Sequence, residues 1–413
     1  MNGKRKFKLI LILGMLSAIG PFSIDMYLAG FPSIANDLHS TISKVALSLS
    51  SFFIGISIGQ IFYGPLLDRY GRKKPLYVGL TIYFIASIGC MLAKSGDALI
   101  WLRFLQALGS CAGMVASRAM VRDLFPVEDN AKVFSLLMLV VGVSPIIAPT
   151  LGGFLTSEYN WRYVFAVLSI MSALVLIATH FFLPESRKPD MNVSLKPKDI
   201  VAGFITVAKV PQFYTYACAG AIAAAGLYSY IAGSPQVFMQ LFHVTEKQYG
   251  LIFATIAGGL ITCSQFNSLL LRKYASEKII LVAQSIQLLA GIALVLGSIM
   301  NWYDVYATIG LCFCFLCCQG FIFPNTAALS MAPFSKNAGT ASALLGSIQL
   351  GIGATTSAIV SYYSNGSAIP MSSVMASCAF ISFIILLIGS KIIRSKTAIE
   401  KVQEEAAEMI MTS

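Results

Sequence analysis

Apolar residues in this chain fall into long uninterrupted runs rather than alternating or one-faced patterns. About twelve runs approach the ~20 residues that an α-helix needs to cross a bilayer. They lie at 8–28, 44–66, 75–94, 98–120, 133–156, 162–183, 212–238, 248–270, 279–300, 303–329, 338–363 and 370–390. The alternation of an outer-membrane barrel is absent, and a helix satisfies its own backbone hydrogen bonds. The pattern therefore predicts an all-α membrane protein with 12 transmembrane helices.

Composition agrees with a membrane protein and narrows its chemistry. The 413 residues are 57% apolar and 11% charged, whereas about 25% of a soluble protein is charged. All nine cysteines lie inside predicted spans, where we interpret them as packing residues and expect neither a metal site nor a disulfide framework. No nucleophile–base pair or phosphate-binding loop stands out, so no catalytic residue is assigned. A membrane enzyme or receptor is the least favoured class.

The distribution of positive charge predicts how the chain sits in the membrane. Of the 29 Lys and Arg residues, 23 fall in segments on the side of the N-terminus, four on the other side, and two inside a span. Cytoplasmic loops carry such an excess, so both termini are expected in the cytoplasm. The apolar run after MNGKRKFK lacks a clear cleavage site and is expected to be the first span. The net charge of +11 then orients the chain and meets anionic lipid rather than nucleic acid.

The longest polar connection, residues 184–210, follows the sixth span and divides the chain into two halves. We predict an N-terminal six-helix bundle at 1–183, a cytoplasmic linker at 184–210, a C-terminal six-helix bundle at 211–392 and a cytoplasmic tail at 393–413. NSLLLRKYASEK (267–278) weakly echoes GPLLDRYGRKK (64–74) from the first half. Two such pseudo-symmetric halves around a central site are the plan of major facilitator transporters.

The stretch GPLLDRYGRKKPL (64–76) follows the second span. Gly64 and Gly71 permit close approach and a tight turn, and Asp68 is suited to accept from the amides at the start of a neighbouring helix. The basic residues are Arg69, Arg72, Lys73 and Lys74. The stretch resembles the major facilitator signature G-x-L-x-D-R-x-G-R-K-x-x-L, which implies a conformational latch that holds the two halves in the outward-facing state. The alternative is a basic turn that serves topology only.

Two arginines lie inside the fourth predicted span. Arg103 resembles the arginine of the family motif R-x-x-Q-G, although Leu108 is an extra residue before Gly109. Arg118 lies deeper towards the inside. An arginine in a membrane keeps its proton and needs a carboxylate, carbonyl groups or water. The alternatives are that Arg103 snorkels to an interface and that Arg118 is a cytoplasmic anchor.

The fifth predicted span carries VVGVSPIIAPTLGG (140–153), in which glycines permit close packing and prolines kink the helix. Its special positions are Gly142, Pro145, Pro149, Gly152 and Gly153. It imperfectly resembles the antiporter signature G-x-x-x-G-P-x-x-G-G, with Ser144 in place of the second glycine and an insertion after Pro145.

Several further segments resemble the bicyclomycin-resistance (Bcr/CflA) family of drug/proton antiporters. They include SIDMYLAGFP (23–32), SRAMVRDLF (117–125), NWRYVF (160–165), LPES (183–186) and AGSPQVF (232–238). The resemblance implies a monomer in a bacterial inner membrane that exports small amphipathic drugs. It also implies protons as the coupling ion and no cofactor. Export or uptake of a metabolite, such as an amino acid or sugar, is the alternative.

Asp25 is the one acidic residue placed well within a predicted span. Removal from water favours the neutral form of a carboxyl, and a nearby Arg103 would oppose this. The resemblance implies that these two helices meet at the central cavity, so Asp25 and Arg103 are predicted to couple protons to transport. A permanent structural contact of Asp25 is the alternative.

Polar and aromatic residues of other spans are weaker candidates for a substrate cavity with apolar walls. They are Tyr27, Gln60, Arg118, Tyr228, Tyr230, Gln236 and Asn325. The alternatives are that tyrosines anchor the interface and that Asn and Gln bond between helices.

Overall fold

A computed structural model describes residues 3–301, 304–334 and 338–412, and within them it contains helices and turns but no strand. In chain order the helices are α1 (Gly3–Leu28), α2 (Phe31–Asp37), α3 (Ile42–Tyr70), α4 (Lys73–Met91), α5 (Gly96–Leu124), α6 (Val127–Glu158), α7 (Arg162–Phe182), α8 (Pro197–Ala208), α9 (Pro211–Pro235), α10 (Glu246–Leu270), α11 (Ser276–Met300), α12 (Val305–Met331), α13 (Ala338–Tyr362) and α14 (Ile369–Thr412). A π-helical segment, Gln236–Leu241, continues α9.

Twelve of these helices, all but α2 and α8, are long and apolar enough to cross a membrane. The predicted spans are therefore confirmed, and the chain is a multi-pass membrane protein. The sequence did not predict α2 or α8, because their apolar stretches are short and each contains a proline. Pro32 and Pro197 lie in the first turn of these helices, where a missing N–H costs nothing.

Several helices begin with a residue whose side chain caps the first turn. Thr41 and Ser95 each accept the backbone N–H three residues further on, at 3.2 Å. Thr245 and Gln248 form a reciprocal capping box at the start of α10. Such caps satisfy amides that have no partner inside the helix.

The helices form two bundles with matching arrangements. In the first half α1 packs against α5, α6 and α7, and in the second α9 packs against α12, α13 and α14. Contacts of α3 with α5 correspond to those of α10 with α12. The halves join where α3 packs on α13 and α6 packs on α10. This confirms two pseudo-symmetric six-helix bundles. The predicted boundaries at 183, 210 and 392 remain predictions, although α8 lies inside the predicted linker.

The bundle has a basic face and an opposite face. The basic face is where α3 ends and α4 begins. The linker lies against this face, and the Asp190 N–H donates there to the Asp68 carbonyl at 3.3 Å. The opposite face is where α3 and α5 begin, and Lys44 pairs there with Asp97 at 2.8 Å.

Candidate functional site

Asp25 is buried near the end of α1. It is 5% exposed and makes no hydrogen bond or ion pair within the described ranges. Its carboxyl is close enough to the hydroxyl of Tyr249 on α10 to interact electrostatically. That hydroxyl bonds to Ser234 at 2.9 Å. Among the side chains that the structure describes, Asp25 is the one buried carboxyl.

Arg103 lies in the interior of the first half and does not contact Asp25. Its guanidinium donates to Gln106 Oε1 at 2.6 Å and to the Ser23 carbonyl at 2.9 Å. It also stacks over the ring of Phe52 at 4.2 Å and that of Tyr27 at 4.6 Å. Helices α1 and α5 pack together, as the resemblance implies, but the two side chains lie apart.

The physical reason is the turn of α1. Ser23 and Tyr27 are four residues apart and share one helix face, which points to Arg103. Asp25 is two residues from each, so it lies about 200° around the helix. The helical turn of α1 therefore points the Asp25 carboxyl away from the Arg103 guanidinium.

The other predicted cavity residues fall into four groups. Gln60 and Arg118 line a cavity of about 590 Å³ between the halves. Tyr228 lies between the halves, with its ring 4.8 Å from that of Phe53. Asn325 donates to Asn267 at 2.7 Å and so bonds between α12 and α10, as its alternative predicted. The remaining three do not line this cavity: Tyr27, Tyr230 and Gln236.

Tyr27 and Tyr230 are nearly inaccessible, each 1% exposed. The Tyr27 hydroxyl bonds to Ser48, which fixes it inside the first half. Tyr230 joins an aromatic cluster with Phe253, Tyr249 and Phe238 next to Asp25. Tyr230 and Tyr249 therefore belong to the surroundings of the acid rather than to the open cavity. Tyr249 was missed by sequence reasoning because nothing local distinguishes it from an interface tyrosine.

A cavity of about 590 Å³ opens towards the basic face between the halves. Its walls come from α3, α5, α8, the linker and the first turns of α13. Apolar side chains such as Ile61 and Phe204 alternate there with charged groups, among them Arg118 and Arg122. A ligand of drug size fits such a volume.

The predicted latch binds the linker and α5 instead of the second half. Asp68 accepts from Arg72 at 2.8 Å and from Arg187 at 3.0 Å, and Arg72 also donates to Asp123 at 2.7 Å. Arg69 donates to the Val193 carbonyl at 2.6 Å. Burial opposes the charge of Arg72, but Asp123 and Asp68 outweigh it and raise the arginine pKa. In this state Asp68 caps no helix, because two arginines occupy its carboxylate.

Glu185, which follows α7, caps the start of α4 in place of Asp68. Its carboxylate accepts the Arg72 N–H at 2.8 Å and the Lys73 N–H at 3.0 Å. Gly71 has φ +82°, and a Cβ there would meet the Glu185 carboxylate at 3.0 Å. Gly71 therefore provides both the turn and the room for the cap. The LPES segment signalled Glu185, but only the fold showed what it binds.

The glycines of α6 provide close contacts on both sides. A Cβ on Gly152 would collide with the Met26 carbonyl of α1, and one on Gly153 would lie 2.7 Å from the Glu246 carbonyl of α10. Pro149 is approached in turn by Gly250 of α10. Gly142 is looser, with Ile261 as its nearest neighbour at 4.0 Å, and Pro145 is only partly buried.

Side-chain contacts also join the halves at the opposite face. Ser33 donates to Glu246 at 2.6 Å, and Lys247 pairs with Glu158. Nearer the middle, the Ser50 and Ser357 hydroxyls are 2.8 Å apart. The halves are thus closed together at the opposite face and enclose the cavity near the basic face.

Asp37, at the end of α2, is held by Arg162 and Trp161. The hydrogen bond from Arg162 lowers the pKa of Asp37 below its usual 3.8. A depressed carboxyl pKa adds stability that is full above the unfolded value and is lost as pH falls through the folded one. We therefore expect Asp37→Asn to lower the melting temperature slightly at pH 7. The difference from the unsubstituted protein should begin to shrink as pH falls below 3.8 and should vanish once pH is below the lowered pKa of folded Asp37. A difference of unchanged size in strong acid would contradict this.

Comparison with known proteins agrees with this architecture. The sequence profile of the Major Facilitator Superfamily matches residues 12–358. A bicyclomycin resistance protein homolog of Haemophilus influenzae is 31% identical over 92% of this chain and 95% of its own. The multidrug resistance protein MdtL of Escherichia coli is 29% identical over 80% and 82%.

Solved structures show the same fold. A bacterial homolog of the human lysosomal transporter Spinster, inward-facing and occupied, superposes with a TM-score of 0.74, 15% identity and coverage of 95% of this chain and 98% of that one. A D-xylose–proton symporter superposes with a TM-score of 0.70, 13% identity and coverage of 92% and 97%.

The chain belongs to the Major Facilitator Superfamily and, within it, to the bicyclomycin-resistance family. It is a membrane transporter and not an enzyme.

Proposed function

We propose that this transporter exports small amphipathic drug-like compounds in exchange for protons. It works as a monomer in a bacterial inner membrane, with both termini and the basic face in the cytoplasm. The observation that carries the proposal is Asp25, a buried carboxyl without a cationic partner beside the interface of the halves. Two relatives are named for resistance to bicyclomycin and to multiple drugs, and these names support the choice of substrate.

Exchange follows from alternating access around the membrane midplane. With the basic face inward, the present structure is closed to the outside, and its cavity faces the cytoplasm. Drug enters there, and the halves rock so that the site opens outwards. Asp25 takes up a proton from outside and keeps it while it is buried and unpaired, because its charged form is costly there. It releases the proton inside when water from the cytoplasmic side reaches it.

The latch changes partners in the same cycle. In the closed-outside state Asp68 holds Arg72 and Arg187. When the basic face closes, α13 moves towards α3. Asp68 of α3 then becomes available to the start of α13, so that the latch joins the two halves as the signature implies. The contacts of Asp68 and Arg69 with the linker are then replaced by contacts with the second half.

The test is drug-driven proton movement in proteoliposomes that contain a pH-sensitive dye. We expect some members of a panel with bicyclomycin and phenicols to move protons only when the protein is present. If no drug in the panel does so, drug export is wrong, and metabolite transport becomes the better hypothesis. Empty liposomes control for drugs that carry protons through lipid.

The Lys247–Glu158 pair at the opposite face provides a test of the alternating cycle. Glu158→Lys places two like charges where the halves meet and should lower the transport rate about twofold to fivefold, since exposed pairs are weak. Adding Lys247→Glu to the same chain restores the attraction and should restore the rate. A double variant that is slower than either single variant would show that this contact does not govern closure.

A further inference from the structure

The cavity towards the basic face has an uneven charge. Its wall contains three carboxylates, Asp68, Asp123 and Asp199, and each is already engaged. Asp68 and Asp123 hold Arg72, and Asp199 accepts from Ser194 at 2.5 Å. Two of these three carboxylates are therefore paired with an arginine, and Asp199 has only a serine hydroxyl as its side-chain partner among the described residues.

Arg118 and Arg122 are the cations without partners. Both belong to α5 and line the cavity, and they are four residues apart on one helix face. Neither makes a hydrogen bond or an ion pair in the part of the chain that the structure describes. Arg118 lies about 9 Å above the end of α5, given the rise of the helix. Two adjacent guanidinium groups with free donors repel each other and favour an anion between or beside them.

Apolar groups lie next to this positive pair. Val115 and Ala119 flank Arg118 on α5, Ile61 faces them from α3, and Phe204 of α8 and Ala343 of α13 complete that part of the wall. A compound with one anionic group and an apolar body matches both parts of the wall. A cationic amphiphile would place its charge against Arg118.

We propose that this cavity binds anionic amphiphiles, with Arg118 contacting the carboxylate or phosphate and the apolar wall enclosing the body. The inference rests on the proposed function, because it names the charge class of compounds that enter from the basic face. Arg118 is the binding residue, since a guanidinium pairs with planar oxyanions through two donors. Arg122 adds positive potential from the next turn. The anion comes either from a free compound or from the headgroup of an anionic lipid.

The experiment is a fluorescence titration of the full chain in nanodiscs of neutral phosphatidylcholine, with two matched probes. Dansylglycine carries a carboxylate, and dansylglycinamide is the same molecule without the charge. We expect Arg118→Gln to weaken dansylglycine binding about tenfold, as for the loss of a charge-assisted pair, and to leave dansylglycinamide binding within about twofold. Arg118→Lys should retain most of the affinity. Arg272→Gln removes a charge outside the cavity and should change neither probe.

Three outcomes would overturn the proposal. They are no binding of dansylglycine, equal affinity of the unsubstituted protein for both probes, and an equal loss of both in Arg118→Gln. The titration uses no proton gradient. A protein that binds dansylglycine through Arg118 but moves no protons would therefore keep this inference and lose the proposed exchange.

Nanodiscs that contain phosphatidylglycerol distinguish the two sources of the anion. If lipid headgroups fill the cavity, phosphatidylglycerol will weaken dansylglycine binding to the unsubstituted protein and have no such effect on Arg118→Gln. If the site takes free compounds, phosphatidylglycerol will leave the affinity unchanged. Either result supports an anion site and assigns its source.

Discussion

Asp25→Asn is expected to abolish drug-driven proton movement while drug binding persists. Asparagine has the size of aspartate but cannot take up or release a proton, so the exchange loses its coupling group. We expect proton flux to fall at least about tenfold, whereas drug–drug exchange, which needs no net proton movement, continues. Drug affinity should also lose its dependence on pH in the variant. Proteoliposome flux and binding titrations from pH 5 to 8 measure the two effects.

Asp97→Asn is the matched control for this prediction. Asp97 is exposed at the opposite face, where it pairs with Lys44, so the same chemical change is made at a solvent-exposed carboxyl. It should leave the coupling intact. If Asp25→Asn moves protons as well as the unsubstituted protein, Asp25 is not the carrier. A path of water molecules would then have to be considered.

Gly152→Ala is expected to destabilise the whole transporter. The added methyl group would meet the Met26 carbonyl, which is backbone and cannot rotate away as a side chain does. The two helices α1 and α6 must then move apart, next to Asp25. Overpacking of this kind costs about 1–3 kcal/mol, so we expect a clearly lower melting temperature in detergent and slower transport.

Gly258→Ala makes the same change in α10, where no atom lies within 4 Å of the added carbon. There alanine should be neutral or slightly stabilising, because it favours the helix by about 0.5–1 kcal/mol over glycine. The difference between the two variants isolates the contact with α1. Equal melting temperatures would mean that α1 and α6 do not pack as closely as described.

The sequence predicted the elements of the fold better than their partners. Twelve apolar runs became the twelve spans, because the length and polarity of a membrane helix are local properties of the chain. Helices α2 and α8 were missed because short amphipathic stretches lack such a signal. Because the bilayer surrounds each span, a membrane helix can be predicted without knowing which other helices pack against it.

For the site, the sequence identified residue types that are costly in a membrane. Asp25, Arg103 and Arg118 stand out because a charged group in an apolar run needs a reason. Their roles diverged in the structure. Arg103 serves the packing of the first half, Arg118 lines the cavity, and Asp25 approaches the second half near Tyr249.

By itself the sequence determined the number of spans, the division into halves and the presence of a carboxyl inside the membrane. Only the tertiary structure decided that Asp25 and Arg103 lie apart, that Glu185 caps α4, and that Arg118 has no carboxylate partner among the described side chains. Composition and the length of an apolar run are properties of a single segment, so the sequence is enough to predict the spans. Partners are chosen by which helix faces meet, and this depends on side chains from segments a hundred or more residues apart.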